Sequence, residues 1–433
     1  MAKLKFKEEQ MENSSDLMIQ SILPMCYQAQ YGKAKVWIRL IDEPDKDRAT
    51  IQQIYEFLND STFTNPIAIM PDCHKGNGAV IGFTMEMTDK VIPNVIGVDI
   101  GCGMLSLNMG RDFLKNFSRP DLDDIIRTKI PFGTSVNQKA MNLSGRLQKE
   151  MTDRIQMFAY YYTMRTQRLM PDARSRYHVP VISDTWLEDK CEEINMDYAR
   201  FLKSVGTLGG GNHFVELGID ENGNYWITFH SGSRQFGQKV AVYHQRIAKA
   251  KNSDGHGAGM APLDGQEMFN YLVDMIVAQM YAEHNRNVMA AVIMLELGKR
   301  KEDQKAVVHS VHNFIDFDDW IIRKGAIRSY VNERMVIPFN MEDGLLICEG
   351  KSNKEWNYSA PHGAGRLGSR KWAKSTLSLD DAKESMAKKD IYTSKVPHDE
   401  IKGAYKPASI IENSLEPTAN ILHKVKPVLN CKE

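Results

Sequence analysis

The stretch VIGVDIGCGM, residues 95–104, sets the hardest constraint on the fold. Its apolar, β-branched start suits a buried strand. Gly97, Gly101 and Gly103 then interrupt it, and glycine lets a backbone bend sharply or approach another closely. Inside that bend lie Asp99 and Cys102. A carboxylate and a thiol at the end of a buried strand need partners that offset the cost of burying them.

The same design recurs along the chain. MPDCHKGNG covers 70–78, LGGGNHFVE 208–216, FHSGSR 229–234, VHNF 311–314 and PHGAGR 361–366. Each sets a His, Cys or Asp at the edge of an apolar run, beside residues that let the backbone approach closely. Functional groups collect where strands hand over to loops.

Between these stretches the pattern alternates in blocks. Residues 66–108 read as β-rich, with PIAIM, AVIGFTMEM, VIPNVIGV and MLSLNM as short buried strands. Residues 138–172 and 184–204 read as helical. GNHFVELGI and YWITFHSGS flank the turn ENGN, and 248–264 reads as a polar, Gly-rich loop. Phe269, Leu272, Val273, Ile276, Val277 and Met280 share one face of a helix expected over 265–298. Residues 307–348 return to strand patterning, and Ser378 is placed to cap a lysine-rich helix. No strict β-α repeat runs through the chain. The expectation is an α+β fold: mixed sheets packed with helices in one large domain, 1–433.

Acidic and basic residues balance at 55 each. That argues against a sequence-blind nucleic-acid coat and leaves room for a local basic groove. No apolar h-region follows the first ten residues, and no apolar run nears the ~18 residues of a membrane span. The six cysteines form no C-x-x-C. A zinc ribbon and a disulfide framework are both disfavoured, and a cytoplasmic protein is expected.

Metal chemistry accounts for most of the reactive stretches. Asp99, Cys102, His213, His230 and His312 supply a carboxylate, a thiolate and three imidazoles. Five protein ligands are too many for a closed tetrahedral zinc site. They suit two ions that share a bridging ligand, and a paired site of this kind clamps the oxygens of a phosphoryl transfer. Taken singly, a Cys after a strand reads as a small buried hydrophobe and a His as an ordinary hydrogen-bonded residue. His284 reads as a core histidine. His178, His244, His256, His398 and His423 receive no role. His309, three residues before His312, falls on the opposite face of a strand. PHGAGR joins a nucleophile, His362, to a loop able to offer backbone N–H groups to an anion. LGGGN is a second such loop, and no G-x-x-x-x-G-K-[ST] is present.

The ordered set MPDCHKGNGAVIG, VIGVDIGCGM, GTLGGGNHFVE, FHSGSR, HNF, RKGA, HGAGR and AYK resembles the motifs of the RtcB family of RNA-splicing ligases, over residues 65–433. The resemblance implies a mixed α/β fold particular to that family. It implies joining of RNA ends bearing a 2′,3′-cyclic phosphate or 3′-phosphate to ends bearing a 5′-hydroxyl, with GTP and two manganese ions. By the same resemblance, Asp99, Cys102 and His213 hold one metal, and Cys102, His230 and His312 the other. His362 takes GMP as a phosphoramidate. Asn212, Glu216, Asn313, Gly363, Ala364, Gly365 and Lys432 contact the nucleotide. Arg234, Arg366, Arg370 and the lysines from 371 to 406 are candidate RNA contacts.

Two departures stand out. IPFNMEDGL, 337–345, puts Phe339, Asn340, Glu342 and Asp343 where the family usually has glycines and a serine. Lys432-Glu433 stands where it favours Lys-Gly. The altered loop implies changed guanosine contacts, hence a divergent paralogue. It leaves two other functions in view: a two-metal phosphoesterase that hydrolyses RNA phosphate ends without joining them, and a non-catalytic RNA-binding protein.

Overall fold

The computed structural model describes residues 62–169, 177–251 and 259–433, the backbone of three strands between 18 and 39, and some positions from 50 to 60. The strands in chain order are β1 (Met18–Leu23), β2 (Cys26–Tyr31), β3 (Ala34–Arg39), β4 (Ile67–His74), β5 (Ile81–Glu86), β6 (Gly103–Gly110), β7 (Phe214–Ile219), β8 (Tyr225–Ser231), β9 (Ala306–Val311), β10 (Asn313–Asp316), β11 (Ile321–Lys324), β12 (Ala326–Arg328), β13 (Arg334–Pro338), β14 (Leu345–Gly350), β15 (Ser359–Pro361) and β16 (Ala419–Cys431). The helices are α1 (Pro93–Ile96), α2 (Arg119–Lys129), α3 (Gly145–Leu169), α4 (Asp184–Glu193), α5 (Tyr198–Lys203), α6 (Arg234–Lys251), α7 (Gly265–Glu296), α8 (Arg370–Thr376), α9 (Leu379–Lys388) and α10 (Ala408–Ser414).

Two seven-stranded sheets organise the molecule, as the mixed α+β expectation requires. The first runs β1-β2-β3-β4-β5-β11-β10 and the second β13-β14-β16-β7-β8-β6-β9, with β12 and β15 forming a separate pair. The second sheet builds the site. In it β6 lies between β8 and β9, with Met104 opposite His230 and Gly103 opposite Val311. β7 flanks β8 with Phe214 opposite the same His230. The segments that enter β6 and β7 and leave β8 and β9 therefore meet at one end of four adjacent strands. His312 is the single residue between β9 in the second sheet and β10 in the first.

Helix α7 backs this end. It is buried along most of its length, because apolar residues surround it rather than lining one stripe. Gly101, at φ +72°, sits directly on it. A Cβ there would come within 2.8 Å of the Gln279 Cα, so only glycine allows the turn to rest on the helix.

Several elements differ from the sequence expectation. VIPNVIGV forms the one-turn helix α1 instead of a strand. Pro93 occupies its first turn, where a missing N–H costs nothing, and all four of its residues are buried. The helix expected over 138–172 starts at Gly145. Residues before it are irregular, held by bonds such as Asn137 N–H to Lys203 O. The helix expected over 184–204 is two, separated at Asn195, whose φ of 56° is left-handed. Of the loop expected over 248–264, residues 248–251 finish α6 and 252–258 lie outside the described residues. Ser378 caps α9 as expected, accepting from the Asp381 N–H. Among the described residues, no helix is long and apolar enough to cross a membrane.

Candidate functional site

Cys102, His213, His230 and His312 converge where the strand topology brings them. The Cys102 Sγ lies 3.5 Å from His213 Nε2 and 3.3 Å from His230 Nε2. His312 Nε2 lies 3.4 Å from His230 Nε2. Asp99 Oδ2 is 3.0 Å from His213 Nε2. Gly232 gives Asp99 its room, since a Cβ there would overlap the carboxylate at 2.1 Å. The Nδ1 atoms of His213 and His230 face the carbonyls of Leu208 and Asn212 at 2.9 and 3.2 Å. Such bonds put the proton on Nδ1 and turn the Nε2 lone pair inward.

Electrostatics favours a cation at this point. Burial holds the His230 and His312 imidazoles well below their ordinary pKa, so both are neutral donors. Burial, and then the Asp99 charge, push the Cys102 thiol well above its usual value. Asp99 is held low: burial opposes its charge, but the His213 hydrogen bond and charge outweigh it. Among the described residues, its Oδ1 and the His312 Nδ1 find no hydrogen-bond partner. The ligand atoms of Cys102, His213 and His230 lie within 4.8 Å of one another. A thiol, neutral imidazoles and a part-orphaned carboxylate, focused on one point, fit divalent ions that would hold the sulfur as thiolate.

A cavity of ≈ 370 Å³ opens beside this cluster. It is lined by every residue expected at the site except His213, which sits behind Cys102. His362 stands on its wall with its ring 4.8 Å from that of His312. The His362 Nδ1 lies 2.6 Å from Asp72 Oδ2, and the N–H groups of His362 and Gly363 donate to the same oxygen at 3.0 and 3.2 Å. The loop was expected to offer backbone N–H groups to an anion. Two of them are instead spent on Asp72, a fully buried carboxylate. Gly365 wraps the Asp72 carbonyl, and Ala364 is buried beside it.

Farther along the cavity, Glu216 on β7 lies opposite Asn430 on β16. Burial raises its carboxyl to about 8 against the pull of Lys432, and its Oε1 is unpartnered. Lys432 reaches Glu400 Oε2 at 2.7 Å. Burial alone would raise the Glu400 carboxyl, but the Lys432 and Arg370 charges bring it down to about 2. Asn313 is spoken for: it donates to the Asp99 carbonyl at 3.2 Å and accepts from Gly325 N–H at 2.9 Å, bracing the turn that carries Asp99 and Cys102.

The three arginines expected to meet RNA are also engaged. Arg234 donates to Thr207 Oγ1 and to the Leu208 and Gly133 carbonyls. Arg366 and Arg370 pair with Glu400, and Arg370 also with Asp399. Glu342 and Asp343 leave the cavity altogether. Glu342 bonds Ser385 and Lys389, and Asp343 bonds Lys402. The acids of the altered loop thus fasten it to α9 and its neighbours, while Phe339, Asn340 and Met341 line the cavity. His309 is exposed on β9, as its spacing from His312 implies. His284 is only half-buried, against the core position expected.

Sequence reasoning passed over Asp72, Glu400 and Lys324. The Lys324 ammonium is buried and donates to the carbonyls of Asn77, Ala79 and Asn94, and burial lowers its pKa to about 7. Asp72 and Lys324 lay in quoted motifs, MPDCHKGNG and RKGA. Glu400 sits in no motif.

Comparison with known proteins agrees with this geometry. A family model described as tRNA-splicing ligase RtcB matches residues 53–433. An RNA-splicing ligase RtcB of Escherichia coli is 28% identical over 397 residues, covering 84% of this chain and 90% of that protein. A tRNA-splicing ligase RtcB of Aeropyrum pernix is 27% identical over 383 residues, covering 75% and 78%. One from Nanoarchaeum equitans is 25% identical over 413 residues, covering 81% and 84%. With the family matched across nearly the whole length and its reactive residues gathered at one cavity, the chain belongs to the RtcB family.

Proposed function

We propose that the protein is an RNA ligase of the cytoplasm, acting as one domain over 1–433, that joins 2′,3′-cyclic-phosphate or 3′-phosphate ends to 5′-hydroxyl ends. It uses GTP through a histidine–GMP intermediate. The observation that carries this reading is the Asp72–His362 pair on the cavity wall beside the sulfur–imidazole cluster.

Asp72 accepts the Nδ1 proton of His362, which leaves the Nε2 lone pair to act as nucleophile. Nε2 forms a bond to the α-phosphorus of GTP as the α–β P–O bond breaks and pyrophosphate leaves. An oxygen of the RNA 3′-phosphate then takes the guanylate, and the N–P bond returns its electron pair to Nε2. The RNA 5′-hydroxyl attacks the activated 3′-phosphorus, losing its proton as GMP departs. A cyclic end is first opened by water, which breaks the P–O2′ bond. Held by Asp99, Cys102 and His213 on one side and by Cys102, His230 and His312 on the other, two Mn²⁺ ions would supply positive charge to the phosphate oxygens. Catalysis of such transfers is mostly positioning and charge stabilisation, the work a rigid strand-end cluster suits. Glu216, kept neutral by burial, can donate a hydrogen bond to a base, and Asn212 and Lys432 lie along the same cavity.

Hydrolysis without joining was suggested by the altered 339–345 loop. With Glu342 and Asp343 turned away from the cavity, that motive weakens.

The test is incubation with α-labelled GTP and Mn²⁺. An acid-labile guanylate on the wild-type chain, absent from His362→Ala, is expected. Failure to form an adduct with any divalent metal sinks the proposal, and conversion of cyclic-phosphate ends to unjoined 3′-phosphates assigns hydrolysis instead.

A further inference from the structure

Helix α3 is apolar on two sides. Met151, Ile155, Phe158, Ala159 and Tyr162 are buried in the main core, and Phe158 stacks on Phe269 of α7 at 5.5 Å. On the far side Met157, Tyr160, Tyr161 and Met164 stand in solvent, 43%, 63%, 53% and 54% exposed. At 3.6 residues per turn these four fall in one stripe roughly 100° wide. A surface helix normally turns polar residues outward, and a contiguous apolar stripe marks an interaction surface.

The stripe reads the same from both ends. Positions 153, 157, 160, 161, 164 and 168 step by 4, 3, 1, 3 and 4, and carry Asp, Met, Tyr, Tyr, Met and Arg. Two copies laid antiparallel about an axis between Tyr160 and Tyr161 bring Met157 against Met164, Tyr160 against Tyr161, and Asp153 against the arginine position. Arg154 then faces Gln167 and Gln156 faces Arg165, so no like charges meet. An interface formed by one patch meeting itself requires self-complementarity of this kind. A partner of unrelated sequence does not. Among the described residues Asp153 is tied only to Lys149, at 2.6 Å, in an exposed ion pair that is weak and easily exchanged.

We infer that the α3 stripe is the contact surface of an antiparallel homodimer, two copies of this chain meeting about the Tyr160–Tyr161 dyad. Four apolar side chains cover less than the ~800 Å² per partner of a standard interface, so the dimer is a reversible one.

Sedimentation equilibrium of the full chain across a concentration series tests this. A monomer–dimer equilibrium is expected, and Tyr161→Glu raises its dissociation constant roughly 100-fold, as loss of a central aromatic does. Asp153→Arg alone sets arginines against each other and weakens the dimer about 10-fold. Adding Arg168→Asp restores wild-type association, which a merely misfolded variant would not do. A chain that stays monomeric at the highest concentration overturns the inference. So does a dimer indifferent to Tyr161→Glu, or a double variant that fails to recover. A monomeric wild type whose RNA retention falls with Tyr160→Glu would assign the stripe to base stacking and equally overturn it.

Discussion

Two aspartate–histidine pairs outside the Cys102 cluster have almost the same length. Asp72 and His362 meet at 2.6 Å, and Asp274 and His244 at 2.7 Å. The first pair stands on the cavity wall, with the His362 side chain 17% exposed. The second lies between α6 and α7 with the His244 side chain 2% exposed, its Nδ1 without a partner, and Lys190 also on Asp274 at 3.1 Å. A carboxylate–imidazole bond therefore does not define a reactive site. What distinguishes the pairs is where the second ring nitrogen points. At His362 the acid holds Nδ1 and leaves Nε2 to the cavity. At His244 the acid holds Nε2, and the remaining nitrogen faces packed helices.

The largest expected effect separates these roles. Asp72→Asn removes the acceptor that fixes the His362 tautomer, and guanylylation should fall about 10³–10⁴-fold, as happens when the carboxylate of a catalytic triad becomes an amide. Single-turnover labelling measures this, and a loss below tenfold would make Asp72 an ordinary structural acid. Next, Asp274→Ala strips its partner from a buried imidazole and from Lys190. It should cost about 3–5 kcal/mol in denaturant unfolding while labelling per folded molecule stays unchanged. Reduced labelling at full stability would break the contrast between the two pairs.

The smallest effect extends the comparison to Glu400, a buried acid paired with cations rather than with a histidine. Its pKa falls from 4.5 in the unfolded chain to about 2 in the fold. The depressed value means that the stabilisation is complete above 4.5 and is lost as pH falls through about 2. Glu400→Gln should thus cost roughly 3 kcal/mol at neutral pH, with the deficit closing on acidification. A deficit that is flat across the acid range would show that Glu400 is not ionised in the fold.

The convergence of Cys102 with the three histidines was legible in the sequence because each lies at or next to a strand end, and glycine marks the turns around them. Cys102 and His213 immediately precede β6 and β7, His230 is the next-to-last residue of β8, and His312 follows β9. The acid that orients His362 was not legible. Asp72 sits 290 positions away, and no local spacing relates them. Glu400 meets Lys432 only because β16 returns beside β7, a long-range pairing. α1 was misread because a short buried helix and a buried strand are both continuous apolar runs. The acids at 342 and 343 suggested changed guanosine contacts, yet lysines on neighbouring segments hold them away from the cavity.

His312 has a mechanical consequence. It is the one residue joining β9 of the second sheet to β10 of the first, and its ring lies beside those of His230 and His362. A change in the angle between the two sheets would act on His312 and hence on its spacing to His230 and His362. The spacing of those three rings is in this sense a gauge of how firmly the two halves are seated.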